Sequence, residues 1–97
     1  AAAAQEVHLR LTAVLEKIDS EKQLDVNAIN QELQAIGDVS NGITSPKYDS
    51  VKTSVNSTIG AIRTYMESKQ DNDYNRMIEA YNHYISNMNM TNMNELD

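Results

Sequence analysis

Residues 45–69 read SPKYDSVKTSVNSTIGAIRTYMESK, and the order of apolar and polar side chains in this stretch decides the fold. Tyr48, Val51, Val55, Ile59, Ile62 and Met66 recur at spacings of 3, 4, 4, 3 and 4. That is the period of an α-helix and not the alternation of a strand. Ser45-Pro46 reads as the start. Serine accepts from the N–H groups that a first turn leaves without partners, and proline at the first helical position has no N–H to lose. The stripe predicts a helix to about Lys69.

The other side of this helix is unusual. Where a water-facing surface ordinarily carries Lys and Glu, it shows Ser50, Thr53, Ser54, Ser57, Gly60, Ala61, Thr64 and Ser68, with Tyr65 at the edge. Asp49, Lys52, Arg63 and Glu67 keep mostly to one flank. A mid-helix glycine costs about 1 kcal/mol relative to alanine, and small residues let another backbone come close. Two readings stand side by side. In one, helices 1 and 4 cover the strip, or it is a plain Ser/Thr-rich solvated face. In the other, Thr53, Ser57, Gly60, Ala61, Thr64 and Tyr65 form a partner-binding face.

The same period extends outward in both directions. Val7, Leu11, Val14, Leu15 and Ile18 place helix 1 at about residues 3–19. Asp25 reads as the N-cap of helix 2, with Leu24 as a staple on Ile29. Val26, Ile29, Leu33 and Ile36 form its stripe, and Gly37 stands where a C-terminal cap belongs. No Gly or Pro separates helices 1 and 2, so one long bent helix to Ile36 is the alternative. Residues 37–45 read as a loop anchored by Val39 and Ile43. Asp71 reads as the cap of helix 4, whose apolar face is Tyr74, Met77, Ile78, Tyr81, Tyr84, Ile85 and Met88. After Met88 the pattern dissolves into Asn and Met, which predicts a frayed tail over 93–97. Short connections favour antiparallel neighbours, hence an all-α, up-down bundle of four helices, or three if helices 1 and 2 are continuous, in a single domain over 1–92.

Composition narrows the function classes. The chain has 97 residues, 40% of them hydrophobic, no Phe, Trp or Cys, and a net charge of −6. The core is therefore aliphatic with Tyr at its margins. Lys and Arg form no basic stripe, which argues against nucleic acid and anionic membrane surfaces. Without cysteine there is no disulfide or thiolate chemistry, and no apolar run reaches the ~18 residues of a membrane span. Ala1 to Ala4 read as what a removed signal or an added linker leaves, and the expectation favours a place outside the cytoplasm.

Motifs that carry chemistry are incomplete. Asp71-Asn72-Asp73-Tyr74-Asn75 opens like a calcium loop, but Arg76 stands where glycine is needed and Asn82 where glutamate is needed. Glu79 and His83 share a helix face without the third and fourth ligands of a metal site, and His8 supplies no second pair. Met88, Met90 and Met93 have a spacing that Cu(I) can use, with His83 nearby. No histidine is placed to activate a serine or threonine, and Gly37, Gly42 and Gly60 are too scattered for a phosphate loop. Asn56-Ser57-Thr58 and Asn89-Met90-Thr91 match the glycosylation sequon, at the rate expected from eleven Asn.

The expectation is thus a non-enzymatic protein-binding module of inhibitor, immunity, exclusion or adaptor type, from a bacterium or phage, with no cofactor and no metal. The alternatives are a self-associating structural subunit and a small-ligand or metal carrier. Replacing Ile59 or Ile62 with alanine should cost about 2–5 kcal/mol as a core truncation; urea unfolding that leaves both variants at parent stability would mean that the buried face has been assigned backwards.

Overall fold

A computed structural model describes the backbone of residues 2–95 and the side chains of residues 2–92. It contains α1 (Ala2–Ser20), α2 (Val26–Asn41), a single 3-10 turn (Pro46–Tyr48), α3 (Asp49–Ser68) and α4 (Asp71–Glu95). The protein is all-α, with the four helices its sequence predicts and no strand among the described residues. The chain divides into two compact units, one ending at Ile43 and the other beginning at Thr44.

In the first unit α1 and α2 are separate helices. The last turn of α1 closes on itself, with Ser20 Oγ donating to the Glu16 carbonyl at 2.7 Å and the Glu21 N–H to that of Lys17 at 3.0 Å. Asp25 then starts α2 from an extended backbone, its carboxylate accepting from the Ala28 N–H at 3.1 Å. Ala4, Val7, Leu11, Val14, Leu15 and Ile18 of α1 are buried, as are Ile29, Leu33 and Ile36 of α2. A fork of charge joins the two helices. Arg10 donates from Nη2 to Glu32 Oε1 at 2.6 Å and from Nε to Glu32 Oε2 at 3.0 Å, and its Nη1 reaches Glu6 at 2.9 Å. The hydrogen bonds from Arg10 hold the Glu32 carboxyl below its ordinary range, against the opposing effect of its partial desolvation.

Gly37 does not end α2. The helix runs on to Asn41, and the Gly42 N–H returns to the Asp38 and Val39 carbonyls at 3.2 Å. The reason is that the buried stripe continues, through a polar residue: after Ile29, Leu33 and Ile36 comes Ser40, fully buried. A glycine inside a helix costs only about 1 kcal/mol relative to alanine, too little to end α2 at Gly37.

In the second unit the start of α3 also departs from expectation. Ser45 is extended, but its side chain makes no cap hydrogen bond; its carbonyl accepts from the Tyr48 N–H at 3.1 Å instead. The 3-10 turn carries Tyr48 into a buried position, with Lys47 Nζ 5.8 Å from the ring centre. Val51, Val55, Ile59, Ile62 and Met66 are buried as their spacing predicts. Lys69 closes α3 in the left-handed region (φ 56°), its N–H bonded to the Tyr65 carbonyl at 2.8 Å. Asp71 is the first residue inside α4 and not its cap. The Gln70 carbonyl accepts from the Asp73 and Tyr74 N–H groups, while Ser68 Oγ donates to Asp73 Oδ2 at 2.6 Å. On α4 Met77, Tyr84 and Met88 are buried, and Thr91 continues their line one turn past the point where hydropathy fades. The tail predicted to fray, 93–97, lies outside the described side chains throughout, and outside the described backbone for its last two residues.

Ser40 Oγ is buried without a hydrogen-bond partner among the described residues, which costs about 1–3 kcal/mol for a neutral group. Ser40→Ala should therefore raise stability by about 0.5–1.5 kcal/mol in urea unfolding, and a loss would show that the hydroxyl is bonded. The Arg10–Glu32 fork has a pH signature. Because the folded-state pKa of Glu32 is lowered, its stabilisation is present above the ordinary value of 4.5 and is lost as pH falls through the lower, folded value. Stability of the parent should fall more steeply below pH 4.5 than that of Glu32→Gln; parallel curves would show that the fork contributes nothing.

Candidate protein-binding face

The hydroxyl-rich side of α3 is two surfaces, not one. Ser54 and Thr58 are buried. Their hydroxyls return to the helix: Ser54 Oγ lies 2.9 Å from the Ser50 and Val51 carbonyls, and Thr58 Oγ1 is 2.7 Å from the Ser54 carbonyl. Bonded in this way, a small polar side chain can be buried without an orphaned donor. This edge is where α4 lies against α3. Asn87 Nδ2 of α4 donates to the Ser50 carbonyl and to Ser54 Oγ, each at 3.3 Å. Near the other end the Tyr65 and Tyr74 rings meet edge to face, with centroids 5.4 Å apart at 68°. These pairings make the two helices antiparallel.

The second surface is exposed. Thr53, Ser57, Gly60 and Thr64 all face solvent, within about 60° of one another on an ideal helix. A Cβ added to Gly60 would meet nothing within 4 Å beyond its own turn of helix among the described residues, so α4 does not cover the strip at this point. Thr53 Oγ1 and Thr64 Oγ1 each donate to the carbonyl four residues back, Asp49 and Gly60, at 3.0 Å. With those donors spent, the strip presents methyls, a bare backbone and one free hydroxyl, that of Ser57.

Of the six residues predicted for a partner face, the structure therefore keeps four together on the surface. Ala61 and Tyr65 are half-buried, and Tyr65 stacks on its own chain at Tyr74. Ser54, placed by its type on the outer side, is in the packed edge. Beside the strip lies a groove of about 510 Å³ lined by Asp49, Ser50, Thr53, Ser54, Ser57, His83 and Asn87. His83 and Asn87 join the site only through the register of α3 on α4. Both helices are free of ionised side chains there, over 53–62 and, His83 aside, over 80–92, a joint feature that can be read only once the helices are paired.

The other candidates do not assemble. Among the described residues no three His, Asp or Glu converge as metal ligands. Met88 is buried while Met90, two residues on, is exposed, so the sulfurs of that pair lie on opposite sides of α4. Burial and the neighbouring Tyr81 push the Tyr84 hydroxyl far above the ordinary tyrosine range, so it stays neutral in the core. A second cavity of about 320 Å³ lies between α1 and α2, beside Lys17 and Glu32. No described helix is long and apolar enough to cross a membrane. Protein-family models, curated proteins and solved structures give no match to the chain.

Proposed function

We propose that this protein is a non-enzymatic binding module that docks a helix surface, the exposed strip of α3, against another protein. The observation that supports the reading is Gly60. A glycine in the middle of a 20-residue helix costs about 1 kcal/mol, and beyond its own turn of helix nothing among the described residues lies within 4 Å of where its Cβ would be. Its bare backbone is of no use to the intramolecular packing. It is of use to a second helix, which can approach closely over Thr53, Ser57, Gly60 and Thr64. The strip carries no charge, so closing it strands no ion, and two of its three hydroxyls are already bonded within α3. Desolvation is correspondingly cheap. Inhibitors, immunity proteins, exclusion proteins and adaptors all act through such contact without chemistry of their own.

Gly60→Arg tests this. Arginine is a better helix former than glycine, so the variant should be as stable as the parent or up to about 1 kcal/mol more stable. Binding to a partner isolated with the parent chain, and measured with both proteins purified, should weaken tenfold or more, about 1.4 kcal/mol. Equal affinity would reject the strip as the docking surface. Sedimentation of the parent alone separates a different protein from a second copy as the partner.

A further inference from the structure

We propose that the groove between α3 and α4 receives an ammonium or guanidinium group, the lysine or arginine side chain of the docking partner. The inference rests on the partner being a protein, as argued for the adjoining strip, and adds the chemistry that the partner must bring. The groups that line the groove are biased toward accepting hydrogen bonds. Asp49, exposed, supplies its one formal charge. One turn on, Thr53 has spent its donor on the Asp49 carbonyl and keeps its lone pairs. Asn87 has aimed its Nδ2 into α3, at the Ser50 carbonyl and Ser54 Oγ, which leaves Oδ1 as its open side. Ser57 and His83 complete the lining and accept as readily as they donate. No Lys or Arg lines the groove, so an anion meets a carboxylate and has no cation to bind. A cationic donor meets acceptors from both helices. Its approach is favoured at long range by the −6 net charge of the chain.

The test is an amide-resolved NMR titration of the full chain with Nα-acetyl-lysine methylamide and Nα-acetyl-arginine methylamide. Nα-acetyl-norleucine methylamide serves as the uncharged control and spermidine as the free polyamine. Shifts confined to 49–57 and 83–87, given by the two cations and not by norleucine, are the expected result. Asp49→Asn should weaken the response about fivefold, the scale of one exposed ion pair. Thr53→Lys, which sets a tethered ammonium one turn from Asp49, should abolish it. Both positions are exposed, and unchanged far-UV circular dichroism checks that both variants fold. Shifts spread equally over Glu6, Glu16, Asp19 and Glu21, or an Asp49→Asn variant that titrates like the parent, would overturn the assignment. Tighter groove binding by spermidine than by either blocked amino acid would overturn the side-chain source in favour of a free polyamine. None of these outcomes changes what the Gly60→Arg measurement reads, so failure of the groove and failure of the docking strip are distinguishable.

Discussion

The second unit depends on hydroxyl groups that bond to their own helix. A buried hydroxyl without a partner is costly, and a chain with neither Phe nor Trp has few bulky apolar side chains with which to cover it. Ser54 and Thr58 avoid the cost by donating to carbonyls three or four residues earlier in α3. The edge that results is small and fully bonded. Because Ser50 and Ser54 are short, the amide of Asn87 reaches both a main-chain carbonyl and a side-chain oxygen across the helix pair. Tyrosine meets tyrosine near the turn, and serine meets aspartate at its last step. Polar contacts thus set the register, while Val51, Val55, Ile59, Ile62, Met66, Met77 and Tyr84 fill the buried interior.

The same economy of size continues around α3. Past the packed edge the side chains remain small, but here Thr53, Ser57, Gly60 and Thr64 are exposed. One run of Ser, Thr, Ala and Gly thus serves two roles separated by a fraction of a turn: close intramolecular packing on one side, an uncharged surface on the other. The first unit solves its pairing differently, with a forked arginine between two carboxylates. That arrangement places full charges at the helix pair, and it contributes to stability only while Glu32 is ionised.

Much of this was legible in the residue order. The apolar stripes of all four helices follow their 3.6-residue period, and Asp25 caps α2 as its type suggests. The failures share a cause. Gly37 and Asp71 are cap residues by type that lie inside their helices, and Ser45 holds the N-cap position through its carbonyl and not its side chain; residue type reports neither burial nor a carbonyl. Ser40, Ser54, Thr58 and Thr91 are buried although hydropathy assigns them to water, because local hydrogen bonding or position in a stripe is invisible to a hydropathy scale. Gly60 is an anomaly that residue type alone displays, while the commitment of nearby Tyr65 to α4 through Tyr74 is not. The groove was beyond reach, since Asn87 and its partners lie 37 and 33 positions apart and meet only through the pairing of two helices.

The link between α3 and α4 is two residues, Lys69 and Gln70, and the link between α1 and α2 runs only from 21 to 25. In each unit the helix that packs most extensively is therefore the next one along the chain. Closing so short a loop loses little chain entropy, and a topology built from neighbours in sequence reaches its transition state rapidly, on the microsecond-to-millisecond scale of helical proteins with low contact order. In each unit the helix that covers the first apolar stripe is thus the next one to leave the ribosome.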